Sequence, residues 1–427
     1  MVRIGLDARA TEHGFKAHST RGTGRYAREL TAELQKINNS KQSSLLEFVP
    51  ISGQKIDSTK FERAFIDLLP FGKVTAETQL FLPKKLDRLG LDLIHFFSHG
   101  DATSRLKTPY VVSVLDLIPL RFPELYRGER ADWRFHLART LELRAIRQAT
   151  GVLAISQATK RDLIELLHIP EERIIVTPLG VSSRFTPRNL EQATWQLEMC
   201  SKRAYFQLPP HRPVILYVGG IDARKNLAFM LEVHAEVVKH APPGRTPLLV
   251  LVGPYEQDEA YTKLLATMKS LQLEDSVKLY GYLDDEMLVR MYQAATVTVF
   301  PSLYEGFGLP ALESLACGTP VIAGNNSSLP EVVGTSGILL EDNNKELWAK
   351  GILELITSEE QQYLLSVNGV TQAARFTWEK TARKTCEAYL YFAQGKRPSH
   401  QVLQLHPGER SPTNQARDSR KSAARAN

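Results

Sequence analysis

Short runs of Val, Ile and Leu alternate along this chain with longer segments whose apolar residues recur every three or four positions. The first pattern suits strands covered on both faces of a parallel sheet, and the second suits helices packed on one side, so the alternation predicts an α/β fold. In the first half the expected strands are Val2–Asp7, Leu46–Ile51, Leu91–Phe97, Tyr110–Leu115, Gly151–Ile155 and Ile174–Thr177. After the first of them, Tyr26, Leu30, Leu34 and Ile37 fall on one face of a helix. In the second half the expected strands are Val214–Val218, Leu248–Val252, Val277–Leu279, Val297–Phe300 and Val321–Ala323, interleaved with helices near 226–240, 259–271, 284–294, 310–317 and 345–356. No repeat of solenoid length is visible.

Residues 186–212 interrupt the alternation: they are polar, and Pro187, Pro209 and Pro210 punctuate them, with Pro213 just beyond, which suits a hinge. The chain then divides into a Rossmann-like domain over 1–190, a linker over 191–212, a second Rossmann-like domain over 213–376, a terminal helix over 377–393 and a tail over 394–427. Beyond Gln394 the tail has no aromatic residue and little apolar content, so it is expected to be disordered. Two doubly wound domains facing each other leave a ligand cleft between the carboxyl ends of their strands.

The formal net charge of +6 changes little in this picture. Lys396, Arg397, Arg410, Arg417, Arg420, Lys421 and Arg425 lie in the tail against only Glu409 and Asp418, so the rest of the chain is nearly neutral and nucleic acid is not an expected partner. No apolar run reaches the roughly 18 residues that span a bilayer, and the N-terminus has no signal-peptide core. Cys200, Cys317 and Cys386 are scattered and fit no metal-ligand spacing, which favours a cytoplasmic protein. There is no Asp-x-Asp, P-loop, Gly-x-Ser-x-Gly or complete dinucleotide fingerprint, so neither metal nor cofactor is expected.

The chemistry concentrates at expected strand ends. Glu305-Gly306-Phe307-Gly308-Leu309-Pro310-Ala311-Leu312-Glu313 sets two carboxylates around a Gly-rich turn, with Pro310 suited to the first position of a helix and Glu313 assigned to that helix's first turn. A helix start with outward amides suits a diphosphate, while carboxylates beside it suit sugar hydroxyls. Upstream, Gly219-Gly220 ends a strand, and Arg224-Lys225 follow at the same sheet edge, either as phosphate ligands or as a solvated surface pair. Gly22-Thr23-Gly24 opens the first helix after a loop carrying His13 and Lys16; the glycines either approach a phosphate or form a plain turn. Asp116 and Ser156 occupy equivalent strand ends, as site residues or as caps, and Tyr282 is placed either to stack on a base or to pack. Arg127, Arg130, Arg134, Arg139, Arg144 and Arg147 flank Trp133, Phe135 and Leu137 in a stretch that suits a solvated edge helix or an anionic membrane surface.

In their order these motifs resemble the retaining family 4 glycosyltransferases, from about Val2 to about Ala393. The markers are Arg21-Gly-Thr-Gly-Arg-Tyr26, Asp116-Leu-Ile-Pro119, Ala154-Ile-Ser-Gln157, Thr177-Pro-Leu-Gly180, Gly219-Gly-Ile-Asp-Ala-Arg-Lys-Asn226 and Pro301-Ser-Leu-Tyr-Glu-Gly-Phe-Gly-Leu-Pro-Ala-Leu-Glu313. The resemblance is greatest to bacterial enzymes that add mannose or a related sugar in O-antigen or exopolysaccharide assembly. It implies the GT-B fold, a nucleoside-diphosphate sugar donor such as GDP-mannose, metal independence, and a glycan or lipid-linked acceptor, which fits a peripheral place on the inner face of the membrane. It gives Gly22 and Gly24 to a phosphate-facing loop, Arg224 and Lys225 to the diphosphate, Glu305 to the transferred sugar, the amides of Gly306 to Leu309 to sugar and phosphate, and Glu313 to the ribose. Asp116 joins the catalytic set, and the stretch Thr377–Phe392 is expected to cross back to the first domain. The chain departs from the family where Ile221 follows the Gly pair instead of Arg, and where Leu115 precedes Asp116 instead of His. The second departure keeps a noncatalytic sugar-nucleotide binder in view, beside a GT-B epimerase or hydrolase.

Overall fold

The structure, a computed structural model, describes residues 1–12, 22–39, 45–52, 77–126, 133–191, 194–255 and 259–393. Among the described residues twelve strands form two parallel sheets. In the first, β1 (Val2–Asp7), β2 (Leu46–Ile51), β3 (Leu93–Phe96), β4 (Tyr110–Val114), β5 (Gly151–Ala154) and β6 (Ile174–Val176) lie in the order β2-β1-β3-β4-β5-β6. In the second, β7 (Val214–Val218), β8 (Leu248–Val252), β9 (Val277–Tyr280), β10 (Val297–Phe300), β11 (Val321–Gly324) and β12 (Ile338–Leu340) lie in the order β12-β11-β10-β7-β8-β9. Covering helices explain the apolar runs: every residue of Leu248-Leu-Val-Leu-Val252 is buried. In each sheet the strand order reverses beside the first strand of its half, which opens a crevice at the carboxyl edge.

The chain passes between the domains twice at one place. Val181 pairs with Thr377 and donates its amide to Phe376 O at 3.1 Å, while Thr381 Oγ1 donates to Pro178 O at 2.6 Å. Gly180 is required there, because a Cβ would lie 2.1 Å from the Trp378 amide nitrogen. The expected irregular linker does not have that character. Residues Trp195–Tyr205 are helical, and the segment is docked on the second domain. The buried Arg188 guanidinium donates to the carbonyls of Gln293, Ala295 and Gly318, and Arg203 donates to Ala294 O, Pro210 O and Thr296 Oγ1. The polarity that suggested a loop belongs to buried arginines that satisfy carbonyls.

Helix Trp378–Ala393 returns to the first domain and packs on helix Gly22–Asn39. Phe392 fills the space over Gly151, where a Cβ would be 2.3 Å from its ring. A buried hydrogen-bonded chain fixes the docking: Tyr389 Oη to His95 Nδ1 at 2.6 Å, His95 Nε2 to Ser113 Oγ at 2.7 Å, and Ser113 Oγ to Tyr26 Oη at 2.6 Å. Burial lowers the His95 pKa to about 3, so its ring is neutral and one nitrogen accepts.

Candidate active site

The cleft's second-domain wall begins where β10 ends. Residues 301–308 loop out, Gly308 turns the chain at φ 97°, and helix Leu309–Ala316 follows with Pro310 in its second position. The first-turn amides of Ala311 and Leu312 donate to Gly308 O. Glu313 is thus the fifth residue of the helix, one turn deeper than its expected first-turn place. It is nearly inaccessible, at 3% exposure.

Across the sheet edge, β7 ends at Gly219-Gly220. Tyr217 Oη donates to Gly220 O at 2.7 Å, and a Cβ on Gly253 would sit 2.1 Å from Gly219 O, so these turns are tightly layered. A single turn, Ala223–Lys225, then aims its two cations at the loop after β10. Lys225 Nζ bonds Glu305 Oε1 at 2.6 Å, Arg224 Nη1 bonds Glu305 Oε2 at 3.1 Å, and Leu303 N donates to Arg224 O at 2.8 Å. Arg224 Nε also pairs with Asp222 at 2.9 Å. Burial works to raise the Glu305 pKa, but the charges of Lys225 and Arg224 outweigh it and bring the pKa down to about 2. Its peptide is held as well: the amide donates to Ser327 Oγ, and Ser328 Oγ donates to the carbonyl, both at 2.9 Å.

The first domain meets this loop directly. A Cβ on Gly306 would lie 2.3 Å from Leu115 O, so glycine is needed for the two backbones to touch. Asp116 accepts from Ile118 N at 3.2 Å; burial raises its pKa against that bond and the Arg224 charge. Ser156 caps helix Gln157–Leu167 by accepting from Thr159 N at 3.0 Å and donates to Gly306 O at 2.7 Å. Buried and doubly engaged, it offers an acceptor no free hydroxyl in this arrangement.

Glu305, Gly306, Arg224 and Lys225 of the second domain therefore meet Asp116 of the first at one end of the cleft. Glu313 occupies the other: it accepts from Tyr292 Oη at 3.2 Å and pairs with Arg25 of the first domain, whose guanidinium also bonds Asp285. Burial drives the Glu313 pKa up to about 7 despite Arg25 and Tyr292. Gly22 and Gly24 lie in the first turn of the helix that carries Arg25, and a Cβ on Gly22 would meet open space. Phe307 is buried edge-on to Phe376, Leu309 packs partly buried beside the core, and Tyr282 is 73% exposed. His13, Lys16 and the tail lie outside the described residues.

Several members of the site went unnoticed in the sequence. Arg25 sits inside the Gly-Thr-Gly-Arg-Tyr motif and was the one readable signal; Tyr292 and Asp285 belong to an ordinary amphipathic helix, Asp285–Ala294. Arg139, one of the clustered arginines, lies close enough to Asp116 to lower its pKa and bonds Glu142 at 3.3 Å, so it is not a solvated surface charge. Among the described residues no three His, Cys, Asp or Glu side chains are grouped to hold a metal, and no helix is long and apolar enough to cross a membrane. Chemically, the arrangement offers two permanent cations on a carboxylate that is already ionised, at the mouth of a cleft between two sheets.

Residues 201–370 match the family described as Glycosyl transferases group 1, and residues 20–185 match Glycosyltransferase Family 4. The chain is 27% identical to O-antigen chain mannosyltransferase B of Escherichia coli over 381 residues, covering 86% of this chain and 95% of that protein. It is 35% identical to D-inositol 3-phosphate glycosyltransferase of Thermobispora bispora over 305 residues, 69% of each. Among solved structures, Anabaena HepE in complex with UDP and glucose superposes with a TM-score of 0.62 at 18% identity, over 91% of this chain and all of that one, a likeness of fold alone.

Proposed function

The chain belongs to the family 4 glycosyltransferases, and from that premise we propose that it moves a hexose, mannose from GDP-mannose, onto a glycan or lipid-linked acceptor of a cell-surface polysaccharide, with retention at the anomeric carbon and without a metal ion. The observation that carries this reading is the double cation contact on Glu305. A diphosphate entering the cleft competes with Glu305 for Lys225 and Arg224. Both cations can turn toward the phosphate oxygens while Glu305 takes hydroxyls of the sugar. Breaking the anomeric C–O bond then leaves negative charge on the diphosphate, met by those two residues and by the loop amides from Gly306 to Leu309. The departing phosphate oxygen takes the proton of the acceptor hydroxyl, which forms the new C–O bond on the same face. Glu313 serves the ribose, which requires that Arg25 yield at least one carboxylate oxygen.

Mannose is favoured by the O-antigen mannosyltransferase relative, and the HepE complex makes uridine donors the natural competitors. Purified protein should hydrolyse GDP-mannose slowly without acceptor, equally with and without EDTA, and faster than UDP-glucose or other donors. Lys225→Ala should reduce turnover by roughly 10²–10³-fold, the loss typical of one preorganised donor to developing charge. Preference for another base, or EDTA sensitivity, would replace the donor or the metal-free chemistry; tight nucleotide binding with no turnover of any donor would indicate a noncatalytic binder, and free sugar or epimer with no transfer to any acceptor would indicate a hydrolase or epimerase. The basic tail suits either a tether to anionic lipid, at about 1 kcal/mol per basic residue near the surface, or an inert solubilising extension. For the tether, removal of residues 396–427 should lower binding to vesicles containing anionic lipid and leave donor hydrolysis unchanged; equal vesicle binding with and without the tail would eliminate it.

A further inference from the structure

The loop that carries Glu305 is held by the opposite domain as well as its own, and helix Gln157–Leu167 with its cap supplies the hydrogen bonds. Tyr304 Oη donates to Asp162 Oδ2 at 2.6 Å, and both side chains are buried. Phe122 of the first domain packs edge-on against the Tyr304 ring at 5.6 Å. The Ser156 hydroxyl reaches Gly306 O, as described above. On the helix's first turn, the amides of Gln157 and Ala158 each donate at 2.8 Å to one oxygen of Glu331. Glu331 belongs to the short helix Leu329–Val333, which directly follows Ser327 and Ser328, the two hydroxyls that hold the Glu305 peptide. Two routes therefore run from Glu305 to the same helix: one through its neighbour Tyr304 to Asp162, the other through Ser327 and Ser328 to Glu331.

These bonds join groups that belong to different domains. Water can replace a partner of this kind at little net cost, so bonds of this type can form and release as two domains meet and part. The other charges near Asp162 are Arg161, which also donates across to Ser327 O at 3.5 Å, and the pair of Glu165 with Arg121, whose guanidinium lies 3.8 Å from the other Asp162 oxygen. That pair stays within the first domain and does not reach the loop.

We propose that Asp162 and Glu331 are positioning residues: with Tyr304 they form a clamp that sets Glu305 in register with the first-domain wall, so that the carboxylate meets the sugar only when the domains are shut. This deepens the reading of the cleft as a donor site and rests on it for the reaction affected. The clamp itself is a statement about closure and stands apart from the donor's identity.

The test uses the full chain with Tyr304→Phe, Glu331→Ala, their combination, Asp162→Ala and Asp162→Asn. Donor hydrolysis should show kcat reduced about tenfold or more in Tyr304→Phe and Glu331→Ala, the usual effect of losing a hydrogen bond to a charged group, with GDP affinity held within about twofold. Asp162→Asn keeps an acceptor for Tyr304 and should retain more activity than Asp162→Ala. Small-angle scattering of the ligand-free protein should give a larger radius of gyration for the double variant than for wild type. Folded variants with wild-type kcat, or a loss confined to GDP affinity, overturn the proposal. If wild type turns over no donor, the function reading fails and scattering alone decides the clamp: an unchanged radius in the double variant overturns it.

Discussion

At the scale of single residues, Gly306 shows how little room the closed cleft leaves. Gly306→Ala would put a methyl 2.3 Å from Leu115 O and 3.1 Å from the Asp116 Cβ, and backbone cannot yield as a flexible side chain can. The loop must then withdraw. A displacement of about 1 Å at reacting groups lowers rates on the order of 10²-fold, so the variant should keep a near wild-type melting temperature and lose about that much kcat, measured by donor hydrolysis. Glu305 leads to a different measurement. With Lys225 and Arg224 holding its pKa near 2 in the free protein, it is ionised there before donor binds, so the pH profile of kcat/KM, which reports the free protein, should show no acid limb from it. Glu305→Gln should depress turnover without changing the profile's shape. These residues were legible because strand ends and a spaced pair of carboxylates mark them in the sequence. Asp162 and Glu331 were not, since each is an ordinary helix acid whose partner arrives from another domain, and no local pattern records that. Nor did spacing reveal that Glu313 would be paired with Arg25 rather than open.

At the scale of elements, the apolar runs located eleven of the twelve strands, with ends that differ by up to two residues. Leu91–Phe97 shortens to Leu93–Phe96 because apolar residues continue beyond the ladder into buried loop. The missed strand, β12, spans only Ile338–Leu340 at a sheet edge, too short to show a period. The crossing of the last helix followed from family resemblance, but its means of attachment, the Tyr389–His95–Ser113–Tyr26 chain, needed coordinates. That chain has a pH consequence. The His95 pKa falls from 6.5 to about 3 on folding, so between those values the unfolded chain binds the proton that the folded one refuses. Its stabilising share is complete above about pH 6.5 and declines as pH falls toward 3. His234, lowered to about 4 by burial, adds in the same direction. Denaturant unfolding at pH 7.5 and pH 5 should show the loss, and His95→Gln should reduce the difference while leaving the His234 part.

For the whole molecule, two parallel sheets and a cleft between their carboxyl edges were readable from alternation alone. The docking of residues 186–212 on the second domain was not readable, because buried Arg188 and Arg203 look in sequence like solvated charge. A ligand that joins both walls should stabilise the whole assembly: GDP at 100 times its dissociation constant should add about 2.7 kcal/mol and raise the melting temperature, and Lys225→Ala should shrink that shift at the same concentration. The returning helix also gives the molecule an order of construction. Phe392 and Tyr389 complete the interior of a domain whose first strand is Val2–Asp7, so during synthesis that domain waits, with His95 Nδ1 lacking Tyr389 and Gly151 uncovered, until almost the entire described chain has left the ribosome. A fragment ending at residue 182 should therefore emerge as an aggregating, protease-sensitive species, and supplying residues 374–393 as a separate peptide should restore its protection.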